Sequence, residues 1–120
     1  MKHYTPQQFA TWRERSDEYI DVSKNASCSR QTRNDAGFEA AYFAFIAVLA
    51  RCDKLLKFDD HPSIKLSNAA GTELRLCRQD RELAVKLTQA YYDGDREKFD
   101  SEEITAWAQR VRKAVWGATG

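Results

Sequence analysis

An all-α fold, an up-and-down antiparallel bundle of four main helices plus one additional helix in a single domain over residues 1–120, is what this sequence predicts. Three observations carry that expectation. Apolar residues recur at three-and-four spacing through long segments. Those segments are separated by short stretches with recognisable helix starts and stops. No segment alternates apolar and polar residues between the turns that a strand would need, and no internal repeat of fixed period appears. Short connections between helices of similar length favour antiparallel neighbours.

The first helix opens at Thr5-Pro6-Gln7-Gln8. Thr5 is the N-cap, Pro6 stands where a missing N–H costs nothing, and Gln8 completes a capping box. Phe9, Trp12, Tyr19 and Ile20 then share a face. The helix is expected to end within "SKNASCSRQTRND", whose Ser, Asn and Thr side chains compete with helix by bonding their own backbone.

The second helix is expected from Asn34 or Asp35 to Lys57, with Phe38, Ala41, Tyr42, Phe45, Val48, Leu49, Cys52, Leu55 and Leu56 on one stripe. Ala40, Phe43, Ala44, Ile46, Ala47 and Ala50 make its other faces apolar as well. Such a helix is covered on several sides by neighbours or shared with a second subunit, which places it at the centre.

Pro62 breaks the chain and suits the start of a third, weaker helix carrying Leu66, Ala70, Leu74 and Cys77, with Gly71 in its middle. Asp80 reads as the N-cap of a fourth helix with the stripe Leu83, Leu87, Ala90 and Tyr91, turned off at Gly94. Asp100, with Glu103 three residues on, caps a fifth. Ile104, Trp107, Ala108, Val111 and Val115 supply its buried face, and Gly117 ends it.

Composition narrows the function classes. Hydrophobic residues at 42% and charged residues at 31% fit a globular chain and neither a disordered nor a membrane-spanning one. Nineteen Lys and Arg against 18 Asp and Glu leave a net charge of +1, so any attraction for nucleic acid or lipid comes from a local patch. Cys28, Cys52 and Cys77 show no CxxC pattern and no His at zinc spacing, which points to neither a disulfide framework nor a structural metal. No signal-like or membrane-spanning run is present, so a cytoplasmic setting without cofactor, metal or membrane is expected. No DNA-binding motif is visible either.

From Asn34 onward the order of features resembles the HEPN domain family of small helical bundles. "NDAGFEAAYFAFIAVLARCDKLLKF" is similar to that family's small-residue and aromatic axial helix. "DRELAVKLTQAYYDGDREKFDSEEITAWAQRVRKAV" is similar to its closing pair, a leucine-bearing helix, a charged corner and a capped helix. The resemblance covers roughly two thirds of the chain, by pattern and spacing rather than by a diagnostic motif. Where that family is active it cleaves RNA without metal, using an Arg and, a few residues on, a His at this corner. A guanidinium can stabilise developing charge on a phosphate and an imidazole can exchange a proton near neutral pH.

The pair is absent here. The histidines are His3 and His61, and Phe99 falls where the family has His or Tyr. The Arg would fall near Tyr92, Asp93 or Gly94. No catalytic residue is therefore assigned, and the resemblance implies a corner that keeps the shape without the chemistry. Tyr91, Tyr92, Asp93 and Arg96 remain the candidate corner site, with Arg96, Tyr91 or Tyr92 as the replacements a ribonuclease would need.

Other candidates are weighed against plainer roles. Arg75, Arg78 and Arg81 form an RNA or phosphate-binding ridge if a helix continues through them, or else a solvated face with Glu73, Asp80 and Glu82 as partners. Arg110, Arg112 and Lys113 suit the negative end of the last helix dipole, and Arg33, Asn34 and Asp35 are candidates to serve a ligand, although Asn and Asp before a long helix are first of all caps. His61 beside Asp59 and Asp60 reads as a turn before Pro62 rather than a metal site. Cys28 is a candidate thiol in a polar loop, while Cys52 and Cys77 fall on apolar faces as core residues. Trp107 sits at core spacing, whereas Trp12 and Trp116 lie near helix ends.

The resulting expectation is a non-catalytic HEPN-like binding or interaction module acting on a protein partner or RNA, self-associating as a homodimer through the second helix. A toxin-type ribonuclease with replacement residues and a small inhibitor or immunity-like protein that blocks another macromolecule are the alternatives.

Overall fold

The structure, a computed structural model, describes residues 4–55 and 62–117. It is an all-α helical bundle: α1 (Pro6–Lys24), α2 (Arg30–Arg51), α3 (Ile64–Glu73), α4 (Arg78–Asp93) and α5 (Ser101–Trp116), with a short 3-10 turn at Arg96–Lys98.

The opening of α1 follows the expected chemistry. The Thr5 side chain accepts from the Gln8 N–H, and the Gln8 side chain accepts in return from the Thr5 N–H. Further along the chain Gly94 stops α4 in the left-handed conformation at φ 71°, which a Cβ would oppose. Gly117 closes α5.

Three helix starts differ from the expectation. Ser29 caps α2, its Oγ accepting from the Thr32 N–H at 3.1 Å, so the helix begins at Arg30 rather than at Asn34 or Asp35. It stops at Arg51, followed by Cys52 and by Asp53 at φ 57°, short of Lys57. In α3 the cap is Ser63, so the helix begins at Ile64, two residues after Pro62. In α4 the cap position belongs to Cys77, leaving Asp80 in the first turn with its side chain free to reach another helix. Asp100 does cap α5, but no side-chain capping bond forms there.

Burial then explains the order of packing. Phe38, Phe45 and Leu49 of α2 are fully buried with Leu66 of α3, Leu87 of α4 and Ile104, Trp107 and Val111 of α5. Ala40, Ala41, Ala44 and Ala47 are buried too, and such small side chains let neighbouring helices approach closely. Most of the apolar residues of α2 are thus covered within one chain, with Phe43 and Ile46 half-buried. Gly37 marks the tightest approach: a Cβ there would stand 2.7 Å from Ile104 Cγ2 and 2.9 Å from Ser23 Oγ.

Polar contacts fix directions. Ser16 Oγ donates to the Ala40 carbonyl and Arg33 Nε to the Ser23 carbonyl, so α1 and α2 are antiparallel. Ser67 against Thr88 and Gly71 against Arg81 make α3 and α4 antiparallel. Trp107 Nε1 donates to the Asp80 carbonyl across the antiparallel α4 and α5. The alternation breaks once. Lys54, just past the end of α2, pairs with Glu73 at the end of α3, while Pro62 meets Tyr92 at the opposite end. Helices α2 and α3 therefore run parallel, which the long connection 52–63 permits.

Several residues take roles other than those expected. Cys52 and Cys77 are exposed rather than core, because one follows the end of α2 and the other precedes α4. Cys28 is half-buried. Arg110 clamps the Asp80 carboxylate through Nε and Nη2, and Arg112 donates to Ser16 Oγ and pairs with Asp17. Both are struts between helices rather than dipole partners alone. No described helix is long and apolar enough to cross a membrane.

Candidate functional site

The corner between α4 and α5 is built from three directions. Gly94 turns the chain, the 3-10 turn brings Arg96 back beneath the end of α4, and the first half of α2 supplies the floor. Asn34 of α2, fully buried, holds the corner in place. Its Nδ2 donates to the carbonyls of Arg96 at 2.8 Å and Phe99 at 2.9 Å, and its Oδ1 accepts from Ser101 Oγ at 2.8 Å. Arg33 beside it donates to the Glu102 carboxylate at 2.8 Å. Asn34 is a tie between helices, not a cap.

Arg96 points inward and is 4% exposed. Its Nε donates to the Leu87 carbonyl at 3.1 Å, and Nη1 lies 3.4 Å from Asp35 Oδ1. The guanidinium carbon sits 3.9 Å from the centre of the Phe38 ring and 4.7 Å from that of Tyr91, a cation–π arrangement on two rings. Nη2 has no hydrogen-bond partner among the described residues. Burial pulls the guanidinium below its usual pKa, with Asp35 opposing, yet an arginine remains a cation.

Beside it lies a cavity of about 270 Å³ lined by Gln31, Asp35 and Glu39 of α2 and by Tyr91, Gly94 and Arg96. Burial pushes the Glu39 carboxyl above the ordinary glutamate range, Arg96 draws it back and Asp35 adds to the rise. Glu39 itself makes no hydrogen bond or ion pair among the described residues. Tyr91 and Tyr92 are 45% and 61% exposed, their rings edge to face at 5.0 Å, and the Tyr92 hydroxyl donates to the Pro62 carbonyl. Asp93 is exposed.

Tyr91 and Arg96 of the expected corner site thus line one cavity, with Tyr92 and Asp93 outside it. Asp35, expected first of all as a cap, and Glu39, not singled out in the sequence, join Tyr91 and Arg96 there. The signal was present: Asp35 and Glu39 are the two acids of α2, one turn apart on either side of the buried Ala36, Gly37 and Phe38. Both histidines, His3 and His61, lie outside the described residues, as do Asp59 and Asp60. Among the described residues no group of three or more metal-ligating side chains converges.

Arg75, Arg78 and Arg81 do not form the ridge that one continuous helix would give. Helix α3 ends at Glu73 and α4 begins at Arg78, leaving Arg75 in the turn at φ 53°. Arg78 pairs with Glu82 at 2.9 Å, and Arg81 donates to the Leu76 carbonyl while its stem covers Gly71. A second hollow, of about 420 Å³, lies near Asp80, Lys86, Glu103 and Arg110, and its Asp80 is already engaged by Arg110.

Compared with known protein families, curated proteins and solved structures, the chain matches none.

Proposed function

We propose that this chain is a non-catalytic helical binding module of HEPN type, acting by occupying a macromolecular partner. One observation carries the reading: the guanidinium of the corner is spent inside the fold. Arg96 is bonded to the Leu87 carbonyl, stacked on Phe38 and Tyr91 and faced by Asp35, so it is not presented to a phosphate. The two acids on the cavity wall, Asp35 and Glu39, repel an anion. A transition-state charge on phosphate needs donors aimed at it, and here the donor points away.

The test is incubation of the purified protein with labelled total RNA over a range of salt, with cleavage and retarded mobility scored in one gel. Intact RNA is the expected result. Metal-independent cleavage that disappears in Arg96→Ala or Tyr91→Phe with the fold intact would overturn the reading and restore the ribonuclease.

A further inference from the structure

We infer that the corner end of the bundle is a docking surface for a basic segment of a partner protein, with an arginine or lysine side chain of that segment entering the cavity beside Tyr91, between Asp35 and Glu39. This rests on the binding-module reading and gives the partner its chemistry.

The apolar part of such a surface is concentrated at this end. Among the described residues the exposed large hydrophobic side chains are Ile64, Tyr91 and Tyr92. Tyr91 and Tyr92 touch each other, and Tyr92 is bonded to Pro62, two residues before Ile64. Exposed aromatics gathered in one place mark contact surfaces. The inside of the fold already shows what a tyrosine ring here accepts, since Arg96 lies against Tyr91.

Charge selects the occupant. The cavity holds two carboxylates against one guanidinium, and Asp35 is the one that Arg96 faces. Glu39 is left without a partner, half-buried, so a cation entering there meets a charge that water serves poorly. Outside the cavity Asp93 and Glu97 make no ion pair among the described residues, whereas Lys98 is tied to Asp95. With a chain net charge of only +1, no strong overall field opposes this local attraction, which steers a basic segment to the corner. A phosphate backbone would face the same four acids.

Arg96 underlies the cavity without reaching out of it. A guanidinium that is 4% exposed, lines the cavity and has one nitrogen without an acceptor is an incomplete hydrogen-bond set. That nitrogen is itself buried, so the entering cation meets the two carboxylates and the Tyr91 ring, while Arg96 stays bonded to the Leu87 carbonyl.

The experiment uses the whole protein and three fluorescent probes: a capped arginine–glycine peptide, its glutamate–glycine counterpart, and an RNA oligonucleotide of similar length. Anisotropy is read from low to physiological salt. The arginine peptide is expected to bind with an affinity that falls with salt, the glutamate peptide not to bind, and Glu39→Gln to weaken the arginine peptide about tenfold. Tyr92→Ala, a surface change, weakens it as well, while Glu14→Gln in α1 leaves it unchanged. Equal binding of both peptides, tighter binding of the RNA, or full affinity in both Glu39→Gln and Tyr92→Ala overturns the inference. Cleavage of the RNA probe in the same samples would sink the module reading itself, whereas intact RNA without peptide binding sinks this inference alone.

Discussion

The side-chain nitrogen of Asn34 lies 2.8 Å from the main-chain oxygen of Arg96, joining two residues 62 positions apart in a buried part of the bundle. With the bonds to Phe99 and Ser101, one amide fastens the first half of α2 to the 3-10 turn and to the start of α5. Asn34→Ala leaves two carbonyls and a hydroxyl buried without that partner. The expected loss is about 2–4 kcal/mol of unfolding free energy, read from urea denaturation. A loss under about 1 kcal/mol would mean that the corner is held by its own turn rather than by Asn34.

The bundle was legible where local chemistry decides. Thr5 with Gln8, Gly94 and the stripe Ile104, Trp107, Ala108, Val111 and Val115 behave as their spacing implies. What misled was long-range satisfaction of polar groups. Asn34 and Asp80 are good caps by type, yet each is drawn away from that role by a partner on another helix, Ser101 or Arg110. Serine 29, less conspicuous in a polar run, takes the cap instead. The cavity was half legible for the same reason. Tyr91 and Arg96 stand in one charged corner of the sequence, but only the antiparallel contact of α2 with α4 brings Asp35 and Glu39 to them.

Two glycines in helices make opposite predictions. In Gly37→Ala the new methyl overlaps Ile104 Cγ2 and Ser23 Oγ, and both belong to packed helices that cannot move apart freely. Overpacking of about 1–3 kcal/mol outweighs the helix gain of about 1 kcal/mol, so thermal stability falls. In Gly71→Ala the nearest atom is Arg81 Cγ at 3.2 Å, part of a flexible stem. The result there lies between no change and a gain of about 1 kcal/mol. A stabilised Gly37→Ala would show that α1, α2 and α5 pack more loosely than described.

Arg96 is a strut whose removal acts on the fold first. Arg96→Ala loses the bond to the Leu87 carbonyl, the contact with Asp35 and the stacking on Phe38 and Tyr91. A destabilisation of about 2–4 kcal/mol is expected. Arg96→Lys recovers less than half of it, because a compact ammonium cannot stack on a ring and reach a carbonyl at once. Denaturation midpoints for the two variants decide this. An Arg96→Ala protein as stable as its parent would return the guanidinium to the list of groups available for chemistry.

Glu39 makes stability depend on pH in a direction that can be worked out. Burial raises its carboxyl above the ordinary range, against the pull of Arg96 and with a push from Asp35. The folded chain therefore keeps this proton at pH values where the unfolded chain has released it. Between the unfolded and the raised folded value the native state binds more protons, so the contribution of Glu39 to stability declines as pH rises through that window. Below the window both states are protonated and the penalty is absent; above it both are ionised and the penalty is complete. Glu39→Gln carries no such penalty, so at about pH 7 the variant is more stable than its parent, and the difference fades toward about pH 4. Urea midpoints at those two conditions measure it. A variant weaker than the parent at neutral pH would mean that attraction to Arg96 exceeds the cost of burying the charge, and the unpartnered carboxylate on which the docking surface depends would not exist.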